Sequence, residues 1–161
     1  MRKILLRSAT EEDLPILYDF EQGIISWERP YDETLKSGHI NYYDIKAMIE
    51  SIETEVIVAV INKEVVGSAY IRIESAKPYL KHTYFGYLGF MYVKPEYRGM
   101  GINKKITEEL KVWAKSKSIT ELRLDVYNDN QSAIKAYEKA GFKKHLINMR
   151  ISIEWNLLRL E

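Results

Sequence analysis

A chain of 161 residues, 46% apolar and 29% charged, is long enough to bury a core as one globular domain, and its net charge of +1 argues against a general nucleic-acid binder. The absence of cysteine excludes disulfides, thiolate metal sites and a cysteine nucleophile. The first apolar run, in "MRKILLRSAT", is too short for a signal peptide, and "VIVAVI" cannot span a bilayer, so a soluble, cytoplasmic, non-membrane protein is expected.

In chain order, "KILLRSA" reads as a first strand. Thr10 and Asp13 resemble a capping box ahead of Leu14, Leu17, Phe20, Ile24 and Ile25, which share one helix face. Pro30 and Gly38 mark "SWERPYDETLKSGH" as a loop, and Ile45, Ile49 and Ile52 predict a second helix. "EVIVAVI" and "EVVGSAYIRIE" are β-rich runs joined by Asn62 and Lys63, a hairpin signal. After the loop "SAKPYLKH", the stretch "TYFGYLGFMYV" is nearly all apolar, as a central strand covered on both faces would be. Ile102, Ile106, Leu110 and Trp113 form one face of an amphipathic helix. "ELRLDVY" is another strand. Asp129 or Asn130 then caps a helix carrying Ala133, Ile134 and Tyr137, with Gly141 as its C′ residue. Two closing strands follow from Phe142, the second within "NMRISIEW", giving the order βααβββαβαββ. The expectation is one α/β domain over residues 1–161, built on a mixed sheet.

The chemistry concentrates in "RGMGIN", Arg98 to Asn103, where two glycines stand at the opening of a long helix. A helix start exposes unpaired N–H groups and a positive dipole end, and glycine lets an anion approach the main chain. A tight turn alone would also account for both glycines. The stretch is not a P-loop, since "GMGINKK" lacks the Lys-Ser/Thr pair, and Lys104 stands where a dinucleotide fingerprint needs its third glycine. His39, His82 and His145 are dispersed without metal-ligand spacing, so no metal is expected. "VGSAY" lacks the second glycine of a nucleophile elbow.

Taken together, "MYVKPEYRGMGIN" and "LDVYNDNQSAIKAYEKAGF" resemble the acetyl-CoA-binding core of the GCN5-related N-acetyltransferase (GNAT) family. Arg98, Gly101 and Asn103 stand at the positions of its Arg/Gln-x-x-Gly-x-Gly/Ala signature, with Asn103 departing from the usual small residue. Asn130, Ala133, Tyr137, Gly141 and Phe142 match its strand–Asn–helix–Tyr–Gly-Phe block. The element order agrees, so the resemblance spans most of the chain; it is poorest between Ser26 and Lys81. It implies a fold whose mixed sheet has two splayed central strands, and acetyl-CoA as cosubstrate. The turn Arg98, Gly99, Met100, Gly101, Ile102 and Asn103 would hold the pyrophosphate through backbone N–H groups. Met91 and Val93 would bond the pantetheine arm from a bulged strand, with the Met91 N–H facing the thioester oxygen. Asn130 would touch the pantetheine by its side chain, or serve only as a helix cap.

The reaction so implied is direct attack of a neutral amine on the thioester carbonyl. Tyr137 occupies the family's position for the acid that protonates the leaving thiolate; its other reading is a packed aromatic. Asp125 is the candidate base, standing where some family members that act on protein N-termini have Glu; a surface or salt-bridged Asp is the alternative. The acceptor walls would be acidic and aromatic: Glu28 and Tyr31, with Trp27, Asp32 and Glu33, on the loop after the first helix, and Tyr87, with Tyr84 and Glu74, opposite. Each of these also reads as an ordinary surface charge or core aromatic. Transfer of a longer acyl group, or a non-catalytic acyl-CoA-binding module, are the competing functions. Homodimerisation is common in the family and is an expectation here.

Overall fold

Strands and helices succeed one another as β1 (Leu5–Ser8), α1 (Leu14–Glu28), α2 (Ile45–Glu50), β2 (Thr54–Ile61), β3 (Glu64–Ser75), β4 (Tyr84–Val93), α3 (Ile102–Ser116), β5 (Leu122–Arg123) and α4 (Gln131–Lys139). This computed structural model describes residues 2–154, and the chain divides into two compact units, Met1–Asn130 and Gln131–Glu161. In the first unit the strands form one mixed sheet in the order β1-β2-β3-β4-β5, antiparallel throughout except for the parallel pair β4–β5.

The period-two alternation of β2 divides the core. Val56 and Val58 pack with Leu17, Phe20, Ile24 and Ile45 beneath α1 and α2. Ile57, Ala59 and Ile61 are buried on the other face, where α3 packs and buries Ile102, Ile106, Leu110 and Ala114. Ala114 rather than the half-buried Trp113 completes that helix's apolar stripe. The Asn62–Lys63 hairpin forms as expected, with Ile61 opposite Glu64 and both turn residues at positive φ. Thr10 and Asp13 make the expected capping box, on a 3-10 turn, Glu11–Asp13, that runs straight into α1.

Three boundaries differ from the sequence reading. Helix α1 continues through Trp27 to Glu28 and passes into a 3-10 turn, Arg29–Tyr31, because Pro30 falls in the first turn of that segment, where a missing N–H is harmless. Helix α2 stops at Glu50, leaving Ile52 exposed. Strand β5 is reduced to Leu122–Arg123 rather than the whole of "ELRLDVY".

In the second unit, α4 ends in a left-handed Gly141 (φ +99°), with the Phe142 N–H donating to the Tyr137 carbonyl at 3.0 Å, a Schellman closure. The two closing strands expected after it are not formed among the described residues, which carry no strand from Phe142 to Glu154. Ile147, Met149, Ile151 and Ile153 have the alternation of a strand yet are 77–87% exposed. Alternation prepares a strand, but a paired neighbour makes one. Trp155, the end of the expected second strand, lies outside the described residues.

Candidate functional site

The middle of the sheet is interrupted where β4 changes register. Gly67 and Ser68 of β3 face Val93 and Tyr92, whereas Tyr70 faces Gly89, so Phe90 and Met91 together oppose the single Ala69. This is a β-bulge. Phe90 adopts φ +56°, its ring is buried against Tyr43, and its carbonyl accepts a 3.1 Å hydrogen bond from the Ser68 hydroxyl. Met91 is the second residue of the bulge, where the resemblance put it. Just before it, Gly89 leaves room for the Tyr70 ring; a Cβ there would stand 2.6 Å from that ring.

On its other edge β4 pairs with β5 only at Gly86–Leu122 and Tyr87–Arg123. From Leu88 to Val93 no strand among the described residues continues the ladder, because β5 ends at Arg123. Backbone groups on a strand edge beyond the end of its ladder need a partner from elsewhere.

Beyond β4 the chain makes a 3-10 turn, Pro95–Tyr97, and then the turn Arg98–Asn103. Gly99 and Gly101 have φ +80° and +78°, and beyond the adjoining residues no protein atom lies within 4 Å of where a Cβ would stand on either. Their glycine identity answers the left-handed backbone, and the space before them is open. Gly101 is the N-cap of α3 and supplies no capping side chain; the first turn holds no acidic residue and carries Lys104. Lysine at a positive dipole end is unfavourable unless an anion joins it. Ile102 is buried, so only its backbone is available, while the side chains of Met100 and Asn103 are exposed. Arg98 turns back: its Nε donates to the Val93 carbonyl at 3.0 Å, and its guanidinium lies 5.7 Å from the Trp27 ring and 5.9 Å from Tyr92. The Val93 carbonyl is therefore already engaged.

The face under α1 and α2 gathers the acidic and aromatic candidates. Tyr87 donates through its hydroxyl to Asp125 Oδ2 at 2.8 Å, and burial together with that carboxylate raises the tyrosine pKa well above its ordinary value. Tyr127 donates to Asp32 Oδ2 at 3.2 Å and stacks on Tyr31 at 5.9 Å. Glu28 is half-buried; burial raises its carboxyl above the usual range, Tyr42 partly offsets this, and the Asp32 charge reinforces it. Tyr43 stands edge-on to both Tyr42 and Tyr70. The segment from Trp27 to Asp32 thus rests on Arg98 beyond β4 at one end and on Tyr127 beyond β5 at the other.

Of the other expected wall residues, one lies on the far face of the sheet and one is paired on the Tyr87 face. Tyr84 is exposed and, three positions from Tyr87, points to the opposite face of the sheet. Glu74 accepts from Arg72 Nε at 2.8 Å, an internal pair stacked over Tyr70 and Tyr87. Asn130 closes a turn by donating its N–H to the Tyr127 carbonyl at 2.9 Å. Tyr137 lies on α4 in the second unit, edge-on to Phe142 at 5.8 Å. A buried residue that the sequence reading passed over is Glu21, which accepts from the Tyr42 and Tyr43 N–H groups at 2.9 and 2.8 Å and fixes both rings under α1. Its signal was present: a carboxylate between Phe20 and Ile24 on the apolar stripe.

The model of the Acetyltransferase (GNAT) family matches residues 20–142. A thialysine N-epsilon-acetyltransferase of Bos taurus is 44% identical over 34% of this chain and 32% of its own length, so the chain spans about a third of that curated relative. Among solved structures, a Bacillus halodurans protein superposes with a TM-score of 0.84 at 19% identity, covering 92% of this chain and 99% of the other. A predicted acetyltransferase of Clostridium acetobutylicum, solved with acetyl-CoA, gives 0.70 at 20% identity over 95% and 98%.

Proposed function

Because the chain belongs to the acetyltransferase (GNAT) family, we propose that it is an acetyl-CoA-dependent N-acetyltransferase acting on a primary amine by direct attack. One observation carries this reading: the bulged β4 runs on past its short pairing with β5 and leads directly into a left-handed glycine turn at the uncapped head of α3. The open backbone at Gly99 and Gly101, with Lys104 behind it, suits a pyrophosphate. The edge of β4 beyond the end of β5 suits an extended pantetheine arm. Acetyl-CoA supplies the activated thioester.

The protein's own groups bind, orient and move protons. The Met91 N–H is offered at the bulge to the thioester oxygen, a fixed dipole where negative charge develops. Tyr137 protonates the departing thiolate, and Asp125 accepts the proton of the incoming ammonium, directly or through water. Tyr87 holds the Asp125 carboxylate in place. Glu28 and Tyr31, on the segment that reaches from Arg98 to Tyr127, form the acceptor wall, where carboxylates and aromatic faces favour a cationic amine.

The test is binding followed by turnover. CoA at a hundredfold excess over Kd should stabilise the fold by about 2.7 kcal/mol, read as a raised Tm. Thiol release from acetyl-CoA should then follow across a panel of peptides with free N-termini, polyamines and aminoglycosides. Binding without turnover on any amine would assign a non-catalytic module, and no Tm shift with CoA would overturn the reading.

A further inference from the structure

We propose that Glu64, at the tip of the β2–β3 hairpin, is a positioning residue for the phosphate-binding turn; this rests on the reading of Arg98–Asn103 as the acetyl-CoA anchor. That turn has little to hold its shape from within. Gly99 and Gly101 are both left-handed and face open space, and no side chain caps α3 behind them. A glycine turn left to itself samples many conformers, and each must be given up on binding.

The segment just before it is held from outside. Lys94 Nζ donates to Glu64 Oε1 at 2.6 Å, and the Tyr97 hydroxyl donates to Oε2 at 2.7 Å. The two oxygens of one carboxylate therefore grip both ends of the 3-10 turn Pro95–Tyr97. A backbone bond from Lys94 N to the Val66 carbonyl, 2.8 Å, adds a third tie to the same strand. The hairpin tip is itself confined: Asn62 and Lys63 hold φ of 48° and 67°, so Glu64 starts β3 from a fixed two-residue turn opposite Ile61. An ion pair near the surface contributes little to global stability. Its work shows instead in the cost of ordering the neighbouring turn around a ligand.

The experiment measures the Kd for CoA by calorimetry and the KM for acetyl-CoA in variants that retain the native circular dichroism. Glu64→Ala should raise both by about threefold to tenfold, with kcat moving by less than about twofold and Tm by no more than a few degrees. Tyr97→Phe and Lys94→Gln should each reproduce part of the rise, and Tyr97→Phe should add nothing once Glu64 is alanine. An unchanged Kd in Glu64→Ala, or full additivity with Tyr97→Phe, overturns the proposal. Should Glu64→Ala not fold, Tyr97→Phe alone decides by the same Kd. Gly101→Ala separates the proposal from the reading beneath it, because a Cβ is strained at φ +78°. Unaltered CoA binding in Gly101→Ala overturns the anchor and the proposal together. Weakened binding there, with none in the Glu64 variants, overturns the positioning role alone.

Discussion

Glu28 carries a conflict between folding and binding. Burial raises its carboxyl above the usual range, so the folded state holds that proton more tightly than the unfolded chain does. Stability linked to this group is therefore lost as pH rises through the elevated value, and the ionised carboxylate at neutral pH opposes folding. The same ionised form is the one that attracts an ammonium. Glu28→Gln should accordingly raise Tm at pH 7 while raising the KM for the amine roughly tenfold or more, the usual worth of a hydrogen bond to a charged group. In the native protein the amine KM should climb as pH falls toward the carboxylate range, and that climb should vanish in Glu28→Gln; a thermal melt at neutral pH and a KM–pH series check both halves. At this scale the sequence was informative about residue type and poor about partners. Asp125 and Tyr87 stood out separately, but nothing in "LRLDVY" or "TYFGYLGF" announces their 2.8 Å bond, because the strands meet only in the folded sheet. The resemblance implies a backbone role for Arg98, and its stacking on Trp27 joins residues too far apart in sequence for any local rule.

Helix α1, which carries Glu28 of the proposed acceptor wall, is anchored at its head by one buried carboxylate. Asp13 accepts from Arg7 at 2.7 and 2.9 Å and from the Thr10 N–H at 2.8 Å. The Arg7 guanidinium, foremost, holds the Asp13 carboxyl below its ordinary value against the opposing effect of burial. A depressed carboxylate gives stability that is fully present above the unfolded value and is lost as pH falls through the folded one. Asp13→Asn should thus lower stability at pH 7 by about 1–3 kcal/mol through loss of the cap and the charged bonds. Across the acid range the gap to the native protein should narrow, since the native carboxylate is itself being protonated; denaturant melts from pH 7 to pH 3 measure this. The capping box and the apolar spacing made this helix legible in advance. Its extension to Glu28 was not, since Pro30 reads as a breaker until its place in a new first turn is known.

Across the first unit, the long elements followed from periodicity, and the irregularities of β4 and the shortness of β5 did not. A bulge has no composition of its own: "GFMYV" reads as five residues of unbroken strand, and only the pairing with Ser68 and Tyr70 shows one residue too many. The resemblance, rather than the pattern, anticipated it. The closing strands show the converse, a clear pattern in Ile147, Met149, Ile151 and Ile153 without a ladder among the described residues. The placement of the two proposed subsites also bears on kinetics. Tyr87 packs against the cluster beneath α1 and α2, and Tyr31 stacks on Tyr127, whereas the glycine turn opens α3 on the other face, so the proposed amine wall and the proposed CoA anchor belong to different faces of the sheet. Two reactants that approach from opposite faces need not vacate one another's place. Initial rates with both substrates varied should therefore give intersecting double-reciprocal lines, and CoA should inhibit competitively against acetyl-CoA but not against the amine. Parallel lines would mean that CoA leaves a covalent acetyl-enzyme before the amine binds, a route that direct attack between subsites on different faces does not require.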